Sequence, residues 1–257
     1  HRLYLPMAGA SVAAAAALFL LFSYMTRRGS LAVLAAACAL FVLPLAVSAH
    51  MRNGVWKNEV TLYEDAVKKS PEKERARYNL AWAYHRAGML DEAVEQYKED
   101  LRLAPDKDKA HYNLALIYRG RGESGKAERH FLEALRIKPR ETAFYNLAML
   151  YHSMGDLDGA LENYRNAIRL RPGYEDAHYN LALALMEKGD LDGAAFHLSA
   201  VLRLNPASPD ALYNLGKVYA KEGDARRAAL AFGEALRLRP DYAEVGRELA
   251  RLKGGAR

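Results

Sequence analysis

KAHYNLALIYRGRGESGKAERHFLEALRIKP, Lys109–Pro139, decides the fold. It reads as two short helices around a glycine turn: Tyr112-Asn113-Leu114 and the small Ala115 in the first, Gly122 between them, Ala127 in the second, and Pro139 as the stop. Working outward, the same residues return on both sides. The tripeptide recurs as Tyr78-Asn79-Leu80, Tyr145-Asn146-Leu147, Tyr179-Asn180-Leu181 and Tyr213-Asn214-Leu215, followed by Ala81, Ala148, Ala182 and Gly216. The turn glycines are Gly88, Gly122, Gly155, Gly189 and Gly223, each with an alanine five residues on. The prolines Pro71, Pro105, Pro139, Pro172, Pro206 and Pro240 lie 34, 34, 33, 34 and 34 residues apart. A fixed period of this length marks a stacked repeat architecture. Each unit is too short to hold its helices alone. Small residues let the two helices approach, the glycine takes the left-handed conformation that ends the first helix, and the proline stops the second. Stability then comes from stacking on neighbours.

This pattern closely resembles the tetratricopeptide repeat (TPR) family over roughly 74–242. The departures are small: Leu185 stands where other units have tyrosine, Leu198 replaces an aromatic residue, and one residue is missing after Pro139. The resemblance implies an all-α fold, a TPR α-solenoid forming a right-handed superhelix of helix-turn-helix repeats, here preceded by two transmembrane helices. The expected organisation is a transmembrane hairpin at 1–52 (spans about 6–25 and 31–51), a linking half-repeat at 53–73, repeats at 74–107, 108–140, 141–174, 175–208 and 209–242, and a capping helix with tail at 243–257.

The membrane expectation rests on the N-terminal composition. Residues 6–25 and 31–51 carry no charge, and Arg2, Arg27 and Arg28 are the only Lys, Arg, Asp or Glu residues up to Met51. About 20 apolar residues cross the hydrocarbon layer, and a proline such as Pro44 is tolerated in a membrane helix. Two long runs with no domain between them argue against a cleaved signal peptide. Orientation is balanced: Arg27 and Arg28 favour a cytoplasmic loop between the spans, while Arg52, Lys57, Lys68 and Lys69 favour a cytoplasmic body. From Arg52 onward, 34 lysines and arginines face 31 acids, a mixed surface and not a nucleic-acid footprint. The sole cysteine, Cys38, permits no intramolecular disulfide.

In TPR proteins the first helix of each repeat lines the concave surface. Asn79, Asn113, Asn146, Asn180 and Asn214 then form a column along it, and an amide both donates and accepts hydrogen bonds. The column resembles the asparagine ladder of TPR domains that grip extended peptides, including the O-linked N-acetylglucosamine transferase type. The alternative, helix-capping or inter-repeat hydrogen bonds, stays open. The tyrosines before the asparagines are expected in inter-repeat packing. Around the column, Arg75, Lys109, His85, Arg86 and Arg119 make the first repeats basic, whereas Asp176, Glu187 and Asp210 make the later ones acidic, with Lys217 and Lys221 mixed in. Trp82, Leu116, Met149 and Leu183 add an apolar strip. The expected partner is a protein or extended peptide; no nucleic acid and no small-molecule substrate is implied. A carboxylate clamp around Arg75, Asn79, Lys109 and Asn113 fits poorly, because Thr142 breaks the basic series.

No catalytic constellation, phosphate loop or metal motif occurs, and no cofactor is expected. His85 and His152 share one repeat position, His111 and His178 another; residues so far apart along a solenoid do not converge on one ion. The chain begins with His1, so a preceding part is expected. His1–Pro6 (HRLYLP) before an apolar run resembles a segment of polytopic membrane proteins that end in TPRs and are similar to protein O-mannosyltransferases of the GT-C class. That resemblance implies lipid-linked sugar donors, catalytic acids in early loops that this chain lacks, and repeats on the extracytoplasmic side of a bacterial inner membrane. Three functions follow: a membrane-anchored interaction module, the substrate-recruiting tail of such an enzyme, or a cell-envelope assembly scaffold.

Overall fold

The computed structural model describes residues 42–45, 47–48 and 58–254. The two apolar runs therefore lie outside the described residues, except for 42–45 and 47–48, which are helical. Among the described residues no helix is long and apolar enough to cross a membrane, and twelve further helices occur without a strand. The chain divides into two compact units, 1–71 and 72–257.

In the first unit, α1 (Glu59–Lys69) begins at Asn58, whose side chain accepts from the Thr61 N–H. This is the stretch read as a linking half-repeat. The cap satisfies one of the donors that every helix start leaves without a partner.

The second unit is a run of helix pairs. Repeat 1 is α2 (Glu74–Arg86) and α3 (Leu90–Leu103); repeat 2 is α4 (Asp108–Gly120) and α5 (Ser124–Ile137). Repeat 3 is α6 (Glu141–Ser153) and α7 (Leu157–Leu170), repeat 4 is α8 (Glu175–Lys188) and α9 (Leu191–Leu204), and repeat 5 is α10 (Pro209–Lys221) and α11 (Ala225–Leu238). A last helix, α12 (Ala243–Gly254), closes the row. Each first helix packs on the second helix of its own repeat, and each second helix packs on the next first helix.

The repeated residues carry this arrangement. All five turn glycines have positive φ, from 74° to 86°, where a β-carbon would be strained. The second helices of repeats 3, 4 and 5 start at Asp156, Asp190 and Asp224, each accepting from a backbone N–H three residues on. The alanines five residues after the glycines (Ala93, Ala127, Ala160, Ala194 and Ala228) are fully buried. So are the aromatic residues Tyr97, Phe131, Tyr164 and Phe232, with Leu198 in the equivalent place of repeat 4. The core is continuous between units: Ala148, Tyr164, Leu181, Leu198 and Val218 belong to one cluster spanning repeats 3 to 5. Val245 of α12 is fully buried against the Phe232 cluster, so the cap completes the last core.

Candidate functional site

The first helices adjoin one another through side chains. Asn113 Nδ2 donates to Tyr78 Oη (3.3 Å) and to Tyr97 Oη (3.0 Å). Asn146 donates to Tyr112 (3.0 Å), Asn180 to Tyr145 (2.8 Å) and Asn214 to Tyr179 (2.9 Å). From repeat 2 onward the asparagine column is thus also a ladder between repeats: four of its five amides, all but Asn79, donate to the tyrosine hydroxyl one repeat earlier. The tyrosine rings pack inside their own repeat, Tyr78 on Tyr97 (5.8 Å), Tyr112 on Phe131 (6.0 Å), Tyr145 on Tyr164 (5.9 Å) and Tyr213 on Phe232 (6.0 Å). Burial raises the hydroxyl pKa of Tyr78, Tyr145 and Tyr179, and the asparagine N–H opposes the shift. The hydroxyls therefore remain neutral acceptors.

The remaining site residues are placed unevenly. Arg119 is drawn into the ladder, its Nη1 donating to Asn146 Oδ1 at 2.6 Å. Arg86 lies over the Trp82 ring at 4.7 Å, a cation–π contact. Trp82 and Met149, at one position of repeats 1 and 3, are each 37% exposed. Arg75 is exposed in the first turn of α2, and Asn79 is half-buried in the same helix. The acidic end is partly paired. His152 Nε2 lies 3.0 Å from Glu187, and Asp210 accepts from Arg239 and Tyr242, which hold its carboxyl below the usual carboxylate range against the effect of burial.

Two cavities open on this face. One, about 300 Å³, is lined by Asp108, Lys109, Asn113, Lys138, Arg140 and neighbouring side chains. The other, about 340 Å³, is lined by Met149, His152, Ser153, Tyr164 and Asn180. Each contains a ladder asparagine. Lys138 and Arg140 are not among the sequence candidates; the missing residue after Pro139 is the signal that marks them.

Two histidine pairs also escape the sequence reading. His111 Nδ1 lies 3.0 Å from His130 Nδ1, and His178 Nδ1 lies 2.9 Å from His197 Nδ1. In each pair the first histidine's Nε2 lies 3.1 Å from a turn-proline carbonyl, Pro105 or Pro172. A carbonyl only accepts, so Nε2 carries the proton, and in the neutral ring Nδ1 accepts from the second histidine. The pairs tie both helices of repeats 2 and 4 to the turn before them. The identical separation of 19 residues, repeated 67 residues later, is visible in the sequence. Burial first, and the partner histidine second, push His130 and His197 down to about 4. Among the described residues no group of three or more His, Cys, Asp or Glu side chains could hold a metal ion.

Known proteins agree with this architecture. A tetratricopeptide repeat model matches residues 108–141 and 209–242, a TPR repeat model matches 82–122, 149–189 and 183–223, and a further tetratricopeptide repeat model matches 62–95. Together they cover 62–141 and 149–242, well over half of the chain. No curated protein matches in sequence. Among solved structures, YrrB, described as a TPR protein with an unusual peptide-binding site, superposes with a TM-score of 0.66 at 24% identity, covering 72% of this chain and 96% of its own. MamA gives 0.62 at 22% identity over 68% of this chain and 96% of its own. Pseudomonas aeruginosa PilF gives 0.63 at 18% identity over 81% and 95%. At these identities the likeness is one of fold. With five helix pairs in register, the inter-repeat ladder and the family matches in agreement, the chain belongs to the tetratricopeptide repeat family and is built as a protein-interaction module.

Proposed function

We propose that this chain is a membrane-attached module that holds an extended peptide or protein segment along the first-helix face of its repeats. The observation that carries this is the pairing of Trp82 and Met149. Both are large apolar side chains, both occupy one repeat position, and both remain over one third exposed on the face that bears the two cavities. Aromatic anchors beside polar groups are what binding faces offer. Asn113, Asn146 and Asn214 each donate to two internal acceptors, so what they offer a ligand is the amide oxygen, and Asn146 already shares its oxygen with Arg119; Asn180 donates internally to Tyr145 alone. YrrB, with the same fold, is described as having a peptide-binding site, which supports the choice of ligand class.

The test is capture from membranes with the whole chain, compared with Trp82→Ala/Met149→Ala. Both residues are exposed, so the fold should survive. Loss of captured protein by about tenfold or more is expected, since truncating an interface anchor costs about 2 kcal/mol. Unchanged capture would move the interface off this face.

Membrane attachment through 6–25 and 31–51, with the repeats on the extracytoplasmic side of a bacterial inner membrane, belongs to the same proposal and rests on sequence. Release of the chain by alkaline carbonate, or digestion of its repeats by protease only after the inner membrane is breached, would sink attachment and sidedness respectively. The glycosyltransferase-like context of His1–Pro6 rests on that short segment alone, and no residue of the repeats is assigned to it.

A further inference from the structure

The first cavity is best understood by comparing the repeats with one another. The residue before the proline that closes each of the five repeats is Ala104, Lys138, Arg171, Asn205 or Arg239. Two places after Pro172 and Pro240 stand Tyr174 and Tyr242. Their rings pack on Tyr145 and Tyr213, with centroids 5.0 and 5.3 Å apart. Arg171 and Arg239 lie over those tyrosines, at 4.9 and 4.7 Å. In repeat 5 the arrangement also contains a carboxylate. Asp210, in the first turn of α10, accepts from Arg239 Nη1 and Nη2 at 3.1 Å each, and from the Tyr242 hydroxyl at 2.9 Å. A fork of this kind is the strong geometry for a carboxylate.

Repeat 2 has the same site with its contents exchanged. The turn after Pro139 is one residue short and has no tyrosine; Arg140 follows the proline directly. The position of Tyr174 and Tyr242 beside the preceding tyrosine is here a cavity of about 300 Å³ beside Tyr112. Lys138 is the counterpart of Arg239, and Lys109 is the counterpart of Asp210. Arg140 donates to Asp108 at 2.6 Å, while among the described residues neither Lys109 nor Lys138 pairs with an acid. The lining thus holds three cations and one anion, and the internal carboxylate of repeat 5 is replaced by a third cation.

We propose that this cavity is a carboxylate subsite, occupied by an acidic peptide whose carboxylate sits between Lys109, Lys138 and Arg140 as Asp210 sits against Arg239 in repeat 5. This rests on the reading of the first-helix face as a peptide groove. The carboxylate comes either from a Glu or Asp side chain or from the peptide's C-terminus, and both offer the same two oxygens.

The test selects random twelve-residue peptides with free C-termini on the whole chain, and in parallel on Lys109→Asp and Lys138→Gln. Lys109→Asp supplies the carboxylate internally, so it should keep its helical circular dichroism and lose the ligand. The wild-type chain should enrich peptides with an acid at a fixed place or at the terminus. Their affinity should fall about tenfold or more in both variants. Synthetic copies, one with Glu→Gln or Asp→Asn and one with an amidated terminus, assign the source by which change weakens binding. Should Lys109→Asp fail to fold, Lys138→Gln, an exposed change, decides. Peptides enriched without acidic preference, or equally bound by the variants, would overturn the subsite and leave the groove. Failure to enrich any peptide would overturn both.

Discussion

Cutting one rung of the ladder at the junction of repeats 3 and 4 tests whether it stabilises the stack. Tyr145→Phe deletes only the hydroxyl that accepts from Asn180 at 2.8 Å. The ring keeps its packing on Tyr164 and Tyr174, so the apolar contribution is unchanged. A neutral hydrogen bond contributes about 1 kcal/mol net. The stranded amide is half-buried, so water recovers part of the loss. Each single change, Tyr145→Phe or Asn180→Ala, should therefore cost about 1–2 kcal/mol. The double variant should cost less than their sum by about 1 kcal/mol, the coupling expected of groups in direct contact. Urea unfolding followed by circular dichroism measures all four corners. Because repeat stability is partly a sum of interface terms, the singles should also broaden the transition as the two halves begin to separate. Additivity within about 0.3 kcal/mol would show that the rung carries no inter-repeat energy. An Asn180→Ala chain that kept its stability but lost peptide capture would place that asparagine on the ligand instead.

Three further outcomes follow from the core. Gly216→Ala should destabilise by about 1–3 kcal/mol, read as a lower urea midpoint, because an added β-carbon would stand 2.5 Å from the buried Phe232 ring. Asp100 is fully buried, one of its oxygens is bound by Lys107 at 2.7 Å and the other has no partner among the described residues. Burial raises its pKa, with Lys107 opposing. A raised carboxyl favours folding below its unfolded value and loses that contribution as pH rises through the folded one. Asp100→Ala, matching Ala134 and Ala167 in later repeats, should therefore leave the urea midpoint at pH 7 unchanged or raise stability by about 1 kcal/mol. His130 and His197 are depressed to about 4, so the unfolded chain takes up their protons first as pH falls below about 6.5. Their contribution is complete at pH 7.5 and is lost progressively down to about pH 4, about 2 kcal/mol each by pH 5. His130→Gln/His197→Gln should flatten the change in urea midpoint between pH 7.5 and 5; an equal slope in wild type and variant would show that the pairs do not report pH.

The architecture was legible because stacking imposes the same demand on every unit. Tyr-Asn-Leu, the turn glycine, the buried alanine and the stop proline recur because each does one job at one place in the unit, and the structure shows those jobs. The direction of the asparagine amide was not legible. A column of amides on one face is compatible with a ligand and with a neighbour, and only distances such as 2.8 Å between Asn180 and Tyr145 distinguish them. The charge gradient was legible in sign but not in availability: Asp210 faces Arg239, Glu187 faces His152, and Arg119 faces Asn146. Pairings between a helix and the following turn depend on the step between repeats, which spacing alone leaves unset. The histidine pairs show the limit most directly, since His111 and His130 lie on separate helices that meet only after the hairpin closes.

This division bears on where specificity resides. A residue present in all five repeats serves what the repeats share, which is stacking; the tyrosine–asparagine rungs illustrate this, with hydroxyl and amide N–H facing each other across each junction from repeat 1 to repeat 5. A ligand lying along the stack can distinguish one end from the other only through positions that differ. Those are the places four before each asparagine (Arg75, Lys109, Thr142, Asp176, Asp210) and three after it (Trp82, Leu116, Met149, Leu183, Lys217). Both series run from basic or aromatic at the first repeats to acidic or charged at the last. Hydrogen bonds from identical amides would let a peptide slide by one repeat at little cost, whereas unlike neighbours such as Lys109 and Thr142 penalise the shift by leaving a ligand's acid without its cation. Lys109→Asp/Asp210→Lys should therefore weaken an acidic ligand about tenfold or more, as Lys109→Asp alone does, while a ligand read by the asparagines alone would bind that variant unchanged.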